Sequence, residues 1–317
     1  MGAAVESGAA EKQKPTFKAR FRAWWEGYDL TPEPEPVTPT LSPKPASGPP
    51  APSPPPGPSL DQAVVTVVQQ IWGEGFSRPG GAAAILTLVK PFALNPSMTV
   101  MDFGAGLGGG TRAVSNEFGI WVHGFEPDAV MAEAAQELST RKGAKKTEIK
   151  PYVAHDFQPK AGTYDCIYSS ETLHIVPDKE KLLGTFERTL KARGQISITD
   201  FVRTPGTAAD DPRLAGFVTR SGKPGHFWSN DEYLSRMKGL KFDIRVDEDL
   251  TASYRSMVIE AWVNFTQDAA GTAYTRTHPE EMVAEVSLWT QRMAALDSGA
   301  LQLRRYYAIK MGSTKAS

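Results

Sequence analysis

The chain is poor in cysteine, in long apolar runs and in excess charge of either sign. One cysteine among 317 residues, Cys166, excludes an internal disulfide framework and a cysteine-based zinc site. No run of about 18 apolar residues occurs, and the first residues lack the apolar core of a secretory signal. Lys and Arg number 35 against 36 Asp and Glu, which argues against non-specific nucleic-acid binding. We therefore expect a cytoplasmic protein with no nucleic-acid partner.

Proline, in contrast, is abundant and unevenly distributed. Thirteen of the 25 prolines lie within residues 31–58. This stretch has almost no large apolar residue, so it cannot bury enough surface to offset the cost of ordering. We predict a disordered, polyproline-II-like linker over residues 31–59 and a folded domain over residues 60–317.

Aromatic residues recur at helical spacing ahead of this linker. Phe17, Phe21, Trp24, Trp25 and Tyr28 occupy one face of a predicted helix and are surrounded by basic residues. We predict that this helix, with a disordered start, forms a separate unit at residues 1–30. Residues 15–28 could lie peripherally on a membrane, dock into a partner or pack back on the folded domain. The length of the linker favours docking elsewhere over self-packing.

Strand and helix patterns alternate through the folded domain. Helical patterns cover residues 61–71, 81–89, 110–118, 129–141, 179–191 and 256–296. Strand patterns cover residues 98–106, 121–128, 149–157, 163–171, 194–202, 242–250 and 301–311. Such alternation is typical of a parallel, doubly wound α/β sheet. We predict helices on both faces of the sheet and a C-terminal helical insertion before the last strand.

The strongest functional signal is the run VMDFGAGLGGG at residues 100–110. Asp102 ends an apolar strand, and Gly104, Gly106 and Gly108 follow before a helix. Glycine permits positive φ in the turn and lets a ligand lie against the backbone. Glu126 ends the next strand, where an acid can bind both hydroxyls of a ribose. A glycine-rich turn alone is a weak signal, but two acids in register make it more specific.

This combination resembles motif I and the following acidic position of class I S-adenosylmethionine-dependent methyltransferases. The resemblance implies a Rossmann-like, seven-stranded sheet and S-adenosylmethionine as the cofactor. It implies that Asp102 and the 104–108 turn, which includes Ala105, hold the methionine portion. It also implies that Glu126, followed by Pro127, holds the ribose hydroxyls.

Two later segments extend the resemblance. HDF at residues 155–157 ends the predicted third strand, and by resemblance Asp156 and Phe157 contact the adenine. YDCIYSSETLHIVPD at residues 164–178, which contains Ser169, looks like the fourth-strand motif of the same family. The matches run from about residue 61 to residue 201, with a family-like terminal strand.

A loop ahead of the first strand is similar to that of one subgroup of this family. WGEGFSRPGG at residues 72–81 is similar to the G-E-G-F/Y-x-S-x-G-G segment of phosphoethanolamine and related small-amine N-methyltransferases. Those enzymes also carry a histidine at the position of His174. The resemblance implies that this loop closes over the cofactor through Trp72, Gly75 and Ser77, with the serine on the cofactor carboxylate. The phosphobase enzymes pair their histidine with a tyrosine on the preceding helix, whereas residues 61–70 here contain none.

His174 and Glu171 are the predicted catalytic residues. The ordinary pKa of histidine lies near neutrality, which suits His174 to accept a proton from an amine or hydroxyl nucleophile. Methyl transfer mainly needs in-line positioning, so His174 is either a base or an orienting group.

Cations and aromatic residues beyond the fifth strand are candidates for binding the acceptor. Cations could clamp a phosphate or carboxylate, and aromatic rings could hold a methylated ammonium. The candidates are Arg203, Arg220, His226, Trp228, Tyr254 and Tyr307. The sequence shows no convincing carboxylate cluster for a metal, so we predict no metal site.

The sequence thus predicts a methyltransferase acting on a small molecule or a lipid headgroup, most simply by N-methylation of a small amine. One alternative is O- or C-methylation of a quinone or another apolar acceptor. The other is a non-catalytic interaction protein that keeps the fold and docks through its N-terminal helix.

Overall fold

The computed structural model describes residues 62–153 and 156–312. The predicted helix at residues 15–28, the predicted linker at 31–59 and His155 lie outside the described residues, and these predictions stay predictions. No helix within the described ranges is long and apolar enough to cross a membrane.

Seven strands form one sheet in the order β3-β2-β1-β4-β5-β7-β6. The strands are β1 (Thr99–Phe103), β2 (Trp121–Glu126), β3 (Thr147–Pro151), β4 (Tyr164–Ser170), β5 (Leu190–Arg203), β6 (Phe242–Asp249) and β7 (Leu301–Lys310). Strand β7 runs antiparallel to its neighbours β5 and β6, and the other pairs are parallel. This is the predicted class I methyltransferase sheet. Its strand order reverses between β1 and β4, where α/β sheets open a ligand crevice at the carboxyl ends of the strands.

Helices cover both faces of this sheet. They are α1 (Gln62–Trp72), α2 (Gly81–Val89), α3 (Gly109–Phe118), α4 (Ala129–Arg141), α5 (Lys179–Thr189), α6 (Asn230–Gly239), α7 (Thr251–Gln267), α8 (Ala269–Thr277) and α9 (Pro279–Asp297). Side chains alternate between two cores, as strand geometry requires: on β4, Cys166 and Tyr168 join one core and Ile167 joins the other. Helices α7 to α9 form the C-terminal insertion before the last strand, which confirms that prediction.

The structure differs from the sequence prediction at β3 and α6, and β7 is antiparallel where the alternation predicted a parallel sheet. Strand β3 ends at Pro151 rather than at residue 157, because it is an edge strand and its only neighbour, β2, ends at Glu126 opposite Pro151. Helix α6 was not predicted, although Ser229 and Glu232 form a capping box at its start. That Ser-x-x-Glu spacing was readable in the sequence.

Candidate active site

The turn between β1 and α3 brings backbone to the carboxyl ends of the strands. Gly104, Gly106 and Gly108 have φ values of 85°, 55° and 74°, a region that favours glycine. A Cβ at Gly104 would collide with the Thr172 side chain, whereas the nearest atom to a Cβ at Gly106 lies 3.3 Å away. Packing therefore excludes a side chain at position 104, and at position 106 a Cβ would fit only tightly against Ser77 and Arg78.

Asp102 lies buried beneath this turn. Its Oδ2 accepts a hydrogen bond from the Thr111 hydroxyl at 2.6 Å. Burial raises the pKa of the Asp102 carboxyl, and the hydrogen bond from Thr111 opposes that shift. Asp102 thus ties the end of β1 to the first turns of α3 and holds the glycine turn in place.

Glu126 joins the end of β2 to the same turn. Its Oε2 accepts the Gly106 N–H at 2.7 Å, and its Oε1 accepts the Asp128 N–H at 3.1 Å. Burial raises the pKa of this carboxyl to about 7. Each carboxylate oxygen can accept more than one hydrogen bond. The position predicted to bind ribose hydroxyls is therefore fixed rigidly and keeps acceptor capacity.

The loop at residues 73–80 covers the glycine turn. The Gly75 carbonyl accepts the Gly109 N–H at 2.9 Å, so the loop satisfies a backbone donor at the start of α3. Ser77 is buried, and its side chain approaches Gly106. Arg220 donates to the Ser77 carbonyl at 3.2 Å from the other side. The structure thus places Gly75 and Ser77 over the turn, and their contact with the cofactor stays a prediction.

Arg78 is the member of this loop that the sequence analysis missed. Its Nη2 donates to the Gly104 carbonyl at 3.0 Å, and its Nη1 donates to the Ser170 carbonyl and, at 3.4 Å, to the Thr172 hydroxyl. The side chain therefore bridges the carboxyl ends of β1 and β4. Counted along the G-E-G-F/Y-x-S-x-G-G pattern, Arg78 stands at the serine position and Ser77 stands one residue earlier.

A cavity of about 410 Å³ lies beside the turn and the loop. Ala105, Gly106, Ser170 and Glu171 line it near the strand ends. The opposite wall is largely apolar and consists of Ala83, Ala84, Ile85, Leu88, Leu250, Met257 and Leu303. The described residues hold no group of three or more His, Cys, Asp and Glu side chains placed to bind a metal ion.

Glu171 and Tyr254 form the polar pair of this cavity. Glu171 has a φ of 50°, a strained value for a residue other than glycine that is often found at functional sites. Its Oε2 accepts the Tyr254 hydroxyl at 2.6 Å. Burial raises the pKa of the Glu171 carboxyl. A carboxyl with a raised pKa beside a cavity suits proton transfer or the binding of a cation.

His174 is held by a buried aspartate. Its Nδ1–H and its backbone N–H both donate to Asp200 Oδ1, at 3.0 and 2.9 Å. This contact assigns the proton of the neutral ring to Nδ1 and leaves a lone pair on Nε2. Burial lowers the pKa of His174, although Asp200 opposes that shift. The Nε2 atom is buried and has no hydrogen-bond partner among the described residues.

Aromatic rings enclose the imidazole of His174. Phe201, Phe217 and Phe227 lie with ring centroids 5.2, 5.5 and 6.2 Å from it. His174 does not line the 410 Å³ cavity, whereas Glu171 does. The two predicted catalytic residues therefore have different surroundings: His174 is enclosed by phenylalanine rings, and Glu171 faces the cavity.

Asp200 also contacts two other polar side chains near His174. It accepts the Tyr233 hydroxyl, and Lys179 Nζ lies 3.9 Å from its Oδ2. Lys179 also donates to the His226 carbonyl and lies 5.4 Å from the Trp228 ring centroid. This buried network was not predicted, because its members are far apart in sequence.

Most of the predicted acceptor-binding residues serve other contacts. Tyr254 lines the cavity, and Arg220 is ion-paired with Glu285. Arg203 donates to the Phe227 and Thr207 carbonyls and to Glu232, at 3.0, 2.8 and 2.7 Å. His226 is exposed, Trp228 packs on Tyr233 at 5.1 Å, and Tyr307 donates to Gln195. Of the six, the structure brings only Tyr254 to the cavity wall.

Several predicted cofactor residues are also occupied in packing. Trp72 packs against Trp262 and Trp289 at 6.1 and 4.4 Å. The Ser169 hydroxyl donates to the Phe103 carbonyl at 2.8 Å. Phe157 packs on Phe103 and Phe125 at 5.2 and 5.0 Å, beyond the end of β3 rather than on it. Asp156 and Pro127 are exposed.

Arg292 on α9 is a second residue that the sequence did not reveal. Its guanidinium lies 5.3 Å from the Phe217 ring and 5.1 Å from the Trp289 ring. Burial lowers the pKa of Arg292 to about 10, while Tyr254, Glu285 and Glu171 oppose that shift. No carboxylate of the described residues lies within ion-pair distance of it, whereas Arg220 beside it has Glu285. Nothing in the sequence separates Arg292 from an ordinary helix-surface arginine.

Glu285 on α9 ties the covering loop to the helical insertion. The carboxylate accepts the Trp72 and Trp289 indole N–H groups at 3.3 and 2.7 Å and pairs with Arg220. We expect Glu285→Gln to destabilise the fold by about 1–3 kcal/mol, because the amide NH2 replaces the charged oxygen that pairs with Arg220. Urea unfolding measures this change, with the exposed Glu260→Gln on α7 as control. Equal stability of the two variants would contradict the bracing role of Glu285.

The methyltransferase domain family matches residues 78–245, more than half of the chain. The chain therefore belongs to the methyltransferase domain family. It is 25% identical over 239 residues to phosphoethanolamine N-methyltransferase 2 of Caenorhabditis elegans, covering 74% of this chain and 52% of that protein. It is 27% identical over 187 residues to a phosphoethanolamine N-methyltransferase of Triticum aestivum, covering 59% of this chain and 36% of that protein.

A solved structure shares the fold. Phosphoethanolamine N-methyltransferase 2 of Haemonchus contortus, in complex with S-adenosyl-L-methionine, has a TM-score of 0.70 and 22% identity. The match covers 78% of this chain and 56% of that one. The chain spans about half or less of the length of the first two curated relatives.

Proposed function

We propose that the chain is an S-adenosylmethionine-dependent methyltransferase that methylates the nitrogen of a small amine bearing an anionic group. The observation that carries this proposal is the bond from the Gly106 N–H to Glu126, beside a cavity lined by Glu171 and Tyr254. It joins the acid that we expect to bind the ribose hydroxyls to the glycine turn after β1, where the strand order reverses.

The residues present suit the cofactor. Gly106 lines the cavity, Glu126 beside it keeps acceptor capacity for hydroxyls, and the 73–80 loop covers the glycine turn. When bound, the cofactor supplies an electrophilic methyl group. The chain supplies orientation and water exclusion, which is most of what a methyl transfer needs.

Glu171 is the group that this proposal assigns to the amine. An amine acceptor arrives mostly as an ammonium and must lose a proton before its nitrogen can attack. The raised pKa and the cavity position of Glu171 suit it to hold the ammonium and to receive that proton. His174, whose Nε2 lone pair has no partner among the described residues, is the second base candidate.

Arg292 supports an anionic group on the acceptor. It is a cation with no carboxylate at ion-pair distance among the described residues, and its charge acts on Glu171 and Tyr254, although its side chain does not line the cavity. Arginine binds phosphate or carboxylate through paired N–H donors. Phosphoethanolamine, which appears in the names of the relatives, combines an amine with a phosphate.

One observation favours a second candidate function. The cavity wall formed by Ala84, Ile85, Leu88, Met257 and Leu303 is apolar. Such a wall suits O- or C-methylation of an apolar acceptor.

A panel assay separates these functions. Mass spectrometry would follow methylation of phosphoethanolamine, ethanolamine and a quinol. We expect phosphoethanolamine to react best, and Arg292→Gln to raise its KM by about 10- to 100-fold with little effect on ethanolamine. The exposed Arg276→Gln is the matched control. Transfer to the quinol alone would favour the second candidate, and no cofactor binding would favour a non-catalytic role.

A further inference from the structure

We propose that Arg78 binds the carboxylate of the cofactor's methionine portion, an inference that rests on the proposed function. The first argument is where the side chain is held. Its contacts with the Gly104 and Ser170 carbonyls fix the guanidinium across the ends of β1 and β4. It also lines the cavity beside the glycine turn.

The second argument is the count of hydrogen-bond donors. A guanidinium has five N–H groups. Three of them point to the Gly104 carbonyl, the Ser170 carbonyl and the Thr172 hydroxyl. Among the described residues the Nε of Arg78 has no acceptor, and its Nη2 has one acceptor for two N–H groups. Nε and Nη2 form one edge of the guanidinium, and a carboxylate can accept hydrogen bonds from both nitrogens of such an edge.

The third argument is charge. Asp102, Glu126 and Glu171 lie around the turn, and the positive charge of Arg78 lowers the pKa of each against the effect of burial. A further carboxylate entering beside three acids would be repelled unless a cation accompanied it. Arg78 pairs with no carboxylate at ion-pair distance within residues 62–153 and 156–312, so its charge is available.

Neighbouring groups are poorer candidates for this role. The Ser77 hydroxyl near Gly106 is neutral and offers one donor. Arg305, a second cation on the cavity wall, lies against the Thr87 and Leu88 carbonyls, 3.2 and 3.5 Å from its Nη2. Its other neighbour is Glu248 at 3.8 Å.

Decarboxylated S-adenosylmethionine, which keeps the amine and the sulfonium, isolates the carboxylate contact. Calorimetric titration would compare it with S-adenosylmethionine on the unaltered chain and on Arg78→Gln. We expect the unaltered chain to prefer S-adenosylmethionine, and the variant to lose about 10- to 100-fold in affinity for it. Affinity for the decarboxylated compound should stay within about twofold, because the contact that Arg78 makes is absent from it.

Two further variants sharpen this experiment. Arg78→Lys keeps the charge without the paired donor edge and should fall between the unaltered chain and Arg78→Gln. Arg141→Gln removes an exposed charge next to Glu74 of the same loop and should change neither affinity. Unchanged binding of the decarboxylated compound also shows that Arg78→Gln is folded.

Three results would overturn the proposal. Equal weakening of both compounds in Arg78→Gln would mean that Arg78 only shapes the loop. Tighter binding of both would mean that Arg78 competes with the cofactor's ammonium for the Gly104 and Ser170 carbonyls. Failure of the unaltered chain to bind either compound would overturn the proposed function, and this proposal with it.

Discussion

Replacement of Glu126 by glutamine is expected to weaken S-adenosylmethionine binding by at least about 100-fold, since hydrogen bonds to a charged acceptor contribute about 1.5–3 kcal/mol each. The Gly106 and Asp128 N–H groups donate to different oxygens of Glu126, so in a glutamine one of them would face the amide NH2 group instead of an acceptor. The variant therefore loses acceptors for the ligand and loosens the glycine turn at once. Calorimetric titration measures the affinity, with the exposed Glu133→Gln on α4 as the matched control.

The same carboxyl makes cofactor binding depend on pH. Burial raises the pKa of Glu126 to about 7, and the ionised form is the better acceptor for hydroxyls. Affinity should therefore rise between about pH 6 and about pH 8 in the unaltered chain and stay flat in Glu126→Gln. The stability of the fold has the opposite pH dependence. Because the pKa of Glu126 is higher in the folded than in the unfolded state, its contribution to stability is fully present below the unfolded pKa and is lost as pH rises through about 7. A flat affinity profile in the unaltered chain would contradict this assignment.

Asp200→Asn is expected to cost about 3–5 kcal/mol of folding free energy, the usual result of removing one partner from a buried charge pair. Asp200 is completely buried and accepts two N–H groups of His174 and the Tyr233 hydroxyl, with Lys179 beside it. The amide would leave Lys179 buried without a counter-charge. Chemical denaturation monitored by tryptophan fluorescence measures the change.

A second substitution tests the reason for this cost. Combining Lys179→Met with Asp200→Asn removes both charges, so the double variant should be more stable than the sum of the single effects predicts by at least about 1 kcal/mol. His174 and Lys179 hold the pKa of Asp200 below its ordinary value. The contribution of Asp200 to folding stability is therefore present above its unfolded pKa and is lost as pH falls through its lowered folded-state pKa. Simple additivity of the two substitutions would rule out a charge pair.

The parts of the site that could be predicted lie within short, continuous segments of the sequence. The turn from Asp102 to Gly108 is local, and strand order then brings Glu126 beside it. The parallel part of the sheet and the helical insertion followed from alternation, and the seven-stranded class of the sheet followed from the resemblance, but neither predicted the antiparallel β7. The end of β3 could not be predicted in this way, because it depends on where the partner strand β2 ends.

The parts that could not be predicted depend on distant partners. Asp200 lies 26 residues from His174, and Glu285 lies 213 residues from Trp72. No local pattern shows that an arginine such as Arg292 will pack between two aromatic rings with no carboxylate at ion-pair distance. Trp72 and Ser169 illustrate the converse, since a position in a motif does not say whether a side chain faces the ligand or the core.

The shared acceptor on α9 has a consequence for how the site opens. Glu285 receives donors from Trp72 at the end of α1, from Trp289 and from Arg220, and Arg220 also holds Ser77 in the covering loop. Loop opening and the separation of α1 from α9 therefore form one cooperative event rather than two. Amide protons of the loop and of the last turn of α1 should exchange at a common rate, and a bound cofactor should slow both together.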